Sequence, residues 1–173
     1  APPVGASPAE RNGFVTFGSL HKLEKLNDDV LDVWCRILHE VPEARLVVGR
    51  HVLQGQTADL LRERFEKRGV APGRLTMRTP EPHQLRHLPV YHKIDIALDA
   101  WPWNGHTTAC EALWMGVPVL ALYGDRHASR MTASVLHCVG LTDWIAQTPD
   151  DYVRVARTWA GRQPELACLR SER

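Results

Sequence analysis

IDIALDAWPWNGHTTACEALWMGVPVLAL, Ile94 to Leu122, carries the pattern that decides the fold. Ile94-Asp95-Ile96-Ala97-Leu98-Asp99 is an apolar run of strand length, the stretch from about Thr107 to Met115 is helical and closes at Gly116, and Val117 to Leu122 is another strand. The same alternation continues in both directions. Downstream, helices are predicted near His127 to Val139 and Pro149 to Ala160, with Thr148 as the N-cap of the second. Upstream lie a short helix from His83 to Tyr91, a strand at Leu75 to Met77, a helix from about Thr57 to Arg68 closed by Gly69, and a strand at Ala44 to Gly49. Before these comes a helix from Asn27 to Val41, apolar at Val30, Leu31, Trp34, Ile37 and Leu38. Asn27 caps it, and Asp28 and Asp29 favour its positive end. Phe14 to Phe17, running into Gly18-Ser19, is the first strand. Strands and helices alternating at this spacing imply right-handed crossovers and a doubly wound α/β domain with a parallel sheet. Ligands of such sheets sit beyond the carboxyl ends of the strands, where loops enter helix N-termini.

Composition bounds the rest. The 173 residues are 44% apolar and 24% charged, the size and make-up of one domain with a real core. Twenty-one Lys plus Arg against twenty Asp plus Glu leave a formal charge of +1, so no global field recruits nucleic acid or an anionic membrane. Cys35, Cys110, Cys138 and Cys168 are scattered, with no CxxC pair or zinc-ligand spacing, which fits a reduced, cytoplasmic setting. No run is long and apolar enough to span a bilayer, and no segment recurs at a fixed period. Residues 1–12 are rich in Pro, Ala and Gly and read as linker, 13–165 as the domain, and 166–173 as a helix-like run without a capping signal. Those ends suggest a piece of a longer protein.

The strongest local signal is Trp103-Asn104-Gly105-His106-Thr107-Thr108-Ala109-Cys110-Glu111. Gly105 permits a tight turn, and the hydroxyls and N–H groups of Thr107 and Thr108 open a helix whose macrodipole favours an anion. A phosphate fits there. Glu111, one turn later, can accept hydrogen bonds from a ribose diol. The plainer alternative makes Thr107 a helix cap and Glu111 a solvated helix residue. Neither a Gly-x4-Gly-Lys loop nor a GxGxxG after the first strand is present. Trp114, mid-helix beside Leu113, reads as core; Cys110 as a small buried thiol; Trp103 as the one tryptophan placed for the cleft.

The run from Ile94 through Arg130, with its Asn-Gly-His-Thr-Thr loop, following acid and Leu-Trp-x-Gly-x-Pro segment, resembles the C-terminal catalytic half of the O-linked N-acetylglucosamine transferase family. The resemblance extends to FVTFGSLHKL at Phe14 to Leu23 and to GLTDWIAQTPDDYVRVA at Gly140 to Ala156. It implies a GT-B enzyme, two facing Rossmann-like domains of which this chain is the donor-binding second. The first half, the tetratricopeptide repeats that select protein acceptors in many members, and the final helix that crosses back are not in the sequence.

Carried over, the resemblance makes Lys22 the lysine that holds the diphosphate and stabilises the leaving nucleotide; read alone, Lys22 is a solvated loop cation. Ser19 stands where relatives often carry a Gln or Asn contacting phosphate, and a hydroxyl still donates one bond at shorter reach. His87 matches a histidine near the uracil base, and Val90 replaces an arginine that assists there in some relatives. Gly105, His106, Thr107 and Thr108 form the diphosphate loop, and Glu111 replaces an Asp at the ribose. Asp125 to Arg130 also matches a family segment at the same sheet edge, which would line the cleft; alternatively Asp125 begins a turn and Arg130 pairs with a surface acid. The implied reaction is inverting transfer of a sugar, GlcNAc in the family, from a UDP-sugar to Ser or Thr of a protein, with no metal and with a general base from the missing half. The fragment itself is expected to bind nucleotide weakly and transfer nothing. A non-catalytic nucleotide-binding module and a GT-B relative with another donor or acceptor stay open as alternatives.

Overall fold

The computed structural model describes residues 2–79 and 87–171. Among these residues, short, mostly apolar runs form six strands: β1 (Thr16–Ser19), β2 (Arg45–Gly49), β3 (Leu75–Arg78), β4 (Ile96–Leu98), β5 (Val119–Leu122) and β6 (Ile145–Ala146). All pairings are parallel, and the strand order is β3-β2-β1-β4-β5-β6. In the centre, Phe17 of β1 stands opposite Leu46 of β2 on one side and Ile96 of β4 on the other, and all three are fully buried. Strand order runs outward in opposite directions from the β1–β4 boundary, so that boundary is the topological switch point of the sheet.

Among the described residues, seven α-helices complete the layers: α1 (Pro8–Asn12), α2 (Asp28–Glu40), α3 (Gln56–Glu66), α4 (Thr107–Trp114), α5 (Met131–Cys138), α6 (Pro149–Ala160) and α7 (Gln163–Ser171). The two predicted caps form. Asn27 accepts from the Val30 amide at 3.0 Å, and Thr148 from the Asp151 amide at 3.0 Å. The apolar face of α2 buries Val30, Leu31, Trp34, Ile37 and Leu38, and α2 packs against α6. Tyr152 of α6 reaches into the sheet, where its hydroxyl lies 3.0 Å from the Asp99 carbonyl and 3.1 Å from that of Leu120.

Several elements differ from expectation. β6 has only two residues, too few to produce a periodic signal. The helix expected over His83 to Tyr91 falls partly outside the described residues, and Leu88–Lys93 is a 3-10 segment containing Pro89. The stretch read as linker contributes α1, and its residues dock on the body. Ser7 Oγ donates to Asp95 Oδ1 at 2.6 Å, the Ala9 amide to the same oxygen at 3.0 Å, and the Thr16 amide to Oδ2 at 2.9 Å. Proline at the start of α1 suits a helix whose first N–H has no internal partner. Pro and Ala therefore signalled a helix start as well as a linker, and composition alone does not separate the two.

The carboxyl-terminal helix closes the same edge. Arg170 is buried and donates to three carbonyls, those of Gly5 at 2.7 Å, Ile94 at 2.7 Å and Tyr91 at 3.0 Å. Gly116 makes the close approach possible: it has φ +72°, and a Cβ there would sit 2.8 Å from Val4 and 3.0 Å from the Arg170 carbonyl. Replacing Arg170 with Met would leave three carbonyls without their donor. The expected loss is about 2–4 kcal/mol of unfolding free energy in urea titration, and an unchanged midpoint with an unchanged slope would show that this clamp contributes nothing.

Candidate functional site

A cavity of about 590 Å³ opens where the strand order reverses, at the carboxyl ends of the central strands. That volume lies in the range of small-molecule sites, roughly 300–1,000 Å³. Four loops build it. The loop after β1 supplies His21, Lys22 and Lys25; the end of β2 supplies Gly49, Arg50 and His51; the loop after β4 and the start of α4 supply Trp103, Asn104 and His106 to Thr108; His127, Ala128 and Met131 follow β5. His87 and Glu111 line the cavity as well.

The β4–α4 loop is held from below by one carboxylate. Asp99 is completely buried, and its Oδ1 accepts from the Ala100 amide at 2.9 Å and the Gly105 amide at 2.7 Å. His21 Nε2 lies 2.9 Å from the same oxygen. The Gly105 carbonyl takes a hydrogen bond from Thr132 Oγ1, and Asn104 is fixed by its side-chain amide to the Ala100 carbonyl at 2.9 Å and by its backbone amide to that of Ala128 at 2.9 Å. The turn is therefore rigid before any ligand arrives. It delivers the chain into α4, whose N-cap residue is His106 and whose N-terminus receives no side-chain cap. The first amides of α4 thus point out of the helix with no partner supplied by a cap, beside the positive end of the macrodipole. Thr107 is not a cap, since it lies inside the helix.

Facing that end is a cation. Lys25 Nζ donates to the Asn104 carbonyl at 2.7 Å and lies 4.6 Å from the centroid of the Trp103 ring. Burial pushes its ammonium below the ordinary lysine value; Asp99 pulls it back up, and Lys22 and Arg50 push it down. Lys22 shares the cavity; its carbonyl accepts from the Lys25 amide at 3.0 Å, and its ammonium has no hydrogen-bond or ion-pair partner among the described residues. Arg50 donates to the Leu20 carbonyl at 3.2 Å. Lys22, Lys25 and Arg50 face one carboxylate in the lining, Glu111, and His87 Nε2 already lies 3.0 Å from Glu111 Oε2. A chain of formal charge +1 thus concentrates its positive charge in this cleft.

Lys22, His87, His106, Thr107, Thr108 and Glu111 are brought together as expected. Two expected residues are not in the lining. Gly105 turns its amide and carbonyl inward, to Asp99 and Thr132. Ser19 is buried, and its Oγ, without a partner among the described residues, borders a separate small void under the cleft. It is the last residue of β1, and strand geometry directs its side chain into the layer below. Trp103 is 61% exposed at the rim, as expected, but Trp114 is 71% exposed and Cys110 is exposed too. Both lie on the outer face of α4, whose buried face is Ala109, Ala112 and Leu113. Arg130 pairs with carbonyls rather than an acid, those of Gly124 at 2.8 Å and Asp125 at 2.9 Å.

Sequence reasoning missed His21, Lys25, Asp99, Arg50 and His51. A usable signal existed for two of them. Asp99 ends a run buried on both faces, where an acid needs a specific partner, and Lys25 stands directly before the Leu26-Asn27 entry to α2.

The glycosyl transferase family 41 model matches residues 10–172. The chain is 40% identical to the probable UDP-N-acetylglucosamine–peptide N-acetylglucosaminyltransferase SPINDLY of Petunia hybrida, over 98% of this chain and 18% of that protein. It is 29% identical to the UDP-N-acetylglucosamine–peptide N-acetylglucosaminyltransferase of Caenorhabditis elegans, over 91% of this chain and 14% of that protein. A mutant of the Thermobaculum terrenum O-GlcNAc transferase superposes with a TM-score of 0.89 at 39% identity, covering 99% of this chain and 33% of the other. The chain therefore spans less than a fifth of these curated relatives and a third of that solved enzyme. The parallel sheet, its switch-point cleft and these similarities agree: the chain belongs to glycosyl transferase family 41, the O-GlcNAc transferase family, and has the doubly wound fold of one half of a GT-B enzyme.

Proposed function

We propose that this cleft holds a nucleoside diphosphate sugar, a UDP-sugar such as UDP-GlcNAc, and that the parent protein transfers the sugar to Ser or Thr hydroxyls of proteins. The observation that carries the reading is the convergence of Lys25, pinned at the Asn104 carbonyl, and Lys22 with the uncapped N-terminus of α4 in one cavity. A diphosphate is the ligand that satisfies two ammonium groups and several helix amides at once. The base lies toward Gly49 to His51 and His87, and the ribose toward Glu111, whose carboxylate keeps acceptor capacity beyond its contact with His87.

In the reaction, the acceptor hydroxyl oxygen attacks the anomeric carbon from the face opposite the nucleotide, with inversion. The bond from that carbon to the β-phosphate oxygen breaks, and negative charge grows on the departing UDP. Lys25, Lys22 and the α4 dipole stabilise that charge, the work a divalent ion performs in other transferases. Lys25 is the better organised of the two lysines, because its ammonium is already placed and partly stripped of water. The acceptor proton goes to a general base on the facing half, which this chain does not supply.

UDP titrated into the chain should shift the backbone amides of Lys25, Gly105 and Thr107, and Lys25→Met should weaken binding by about tenfold or more. Silence at both loops sinks the donor-site reading, and tighter binding of GDP than UDP would reassign the base. The chain supplied with UDP-GlcNAc and an acceptor peptide should transfer no sugar. Glycosylated peptide in that assay would mean that the base lies within these 173 residues.

A further inference from the structure

His21 lies beneath the cleft, and neither the resemblance nor the proposed transfer chemistry gives it a task. Its side chain is 5% exposed, and Nδ1 has no hydrogen-bond partner among the described residues. Nε2 lies 2.9 Å from Asp99 Oδ1, the oxygen that also accepts from the Ala100 and Gly105 amides. An ionised carboxylate only accepts, so this contact fixes Nε2 as the protonated nitrogen. The ring also sets the size of the neighbouring residue. A Cβ on Gly105 would stand 2.3 Å from His21 Cε1 and 3.1 Å from Nδ1. His21 therefore touches the turn before α4 in two ways, by a shared carboxylate and by van der Waals contact. It belongs to the loop after β1, which carries Lys22 and Lys25.

We propose that His21 is a positioning residue for donor binding: through Asp99 and Gly105 it locks the lysine-bearing loop to the anion-binding turn, so that the two cations and the α4 amides keep one spacing. The inference rests on the diphosphate-site reading and deepens it. Asp99 Oδ1 takes the Gly105 amide away from the ligand and leaves the following amides, at the start of α4, to face it. Without the imidazole, a fully buried carboxylate loses a donor and the turn loses the wall against which Gly105 packs. Ligand affinity should then fall even where the fold survives, since the two halves of the site no longer share a fixed geometry.

The test compares UDP affinity by calorimetry for the chain and its His21→Gln and His21→Leu variants, with unfolding midpoints measured alongside. The Gln amide nitrogen reaches the place of Nε2 and can donate to Asp99, whereas Leu fills space without a donor. Affinity should fall about tenfold in His21→Leu and stay within about threefold in His21→Gln. In an Asp99→Ala background, which offers no acceptor to either side chain, the two variants should bind alike. Should His21→Leu fail to fold, His21→Asn, whose amide is too short to span to Asp99, takes its place. Equal affinity of the Leu variant and the original chain, or equal losses in Leu and Gln at matched midpoints, would overturn the proposal. If the original chain binds no UDP, the donor-site reading itself fails, and amide exchange at Gly105 decides the pair. Faster exchange in Leu but not in Gln supports the lock, and unchanged exchange in both overturns it.

Discussion

A single buried carboxylate organises this site. Asp99 stands where β4 ends at the switch point of the sheet, and its Oδ1 gathers the Ala100 amide, the Gly105 amide and the His21 ring. Removing a charge from water is costly unless its hydrogen bonds are replaced, so these contacts are strongly constrained. The constraint shapes three features at once. It closes the β4–α4 loop into a tight turn, aims the start of α4 at the cavity, and draws the loop after β1 toward that turn. The Lys25 bond to the Asn104 carbonyl then links the same two loops from above.

The electrostatics follow from this architecture rather than from composition. Acids and bases nearly cancel over the chain, yet Lys22, Lys25 and Arg50 share a cleft whose one carboxylate, Glu111, already faces His87. On the surface outside the cleft, arginines pair with acids, as Arg64 and Arg68 do with Asp28 and Arg157 with Glu40. Such exposed pairs add little stability. They do quench charge elsewhere, so the positive potential that remains is focused in the cavity and the α4 dipole adds to it.

The fold was legible because each buried strand leaves a short apolar run and each helix a cap or a periodic face. Asn27 and Thr148 cap the helices assigned to them, and six of the eight expected site residues line one cavity. What escaped was direction. Trp114 lies four residues after Cys110, and both fall on the outer face of α4, a placement that the apolar character of Trp114 conceals. Ser19, the last residue of β1, and Lys22, in the loop that follows, are three residues apart, yet the first points into the layer below and the second into the cleft. Lys25, which the sequence did not single out, reaches the Asn104 carbonyl, and close by Asn27 caps α2 while its side-chain amide bonds the Trp101 carbonyl at 2.7 Å. That contact joins residues 74 apart in sequence and leaves no local pattern.

Two acids flank β4, and the contrast between them explains how stability and binding divide along one strand. Asp95, before the strand, is satisfied on both oxygens by Ser7, Ala9 and Thr16, and burial pushes its carboxyl up despite these bonds. Arg170 lies close enough to pull that value back down, and it ties α7 to the same edge. Asp99, after the strand, keeps one oxygen without a partner among the described residues and one shared among three groups. The first acid closes the edge where the two ends of the chain meet. The second lies beside a buried imidazole nitrogen of His21 and an oxygen of Asn104 that likewise have no partner among the described residues. Unsatisfied buried polar atoms cost stability. The fully bonded acid thus holds the edge where α1 and α7 meet, and the other positions the turn that leads into α4.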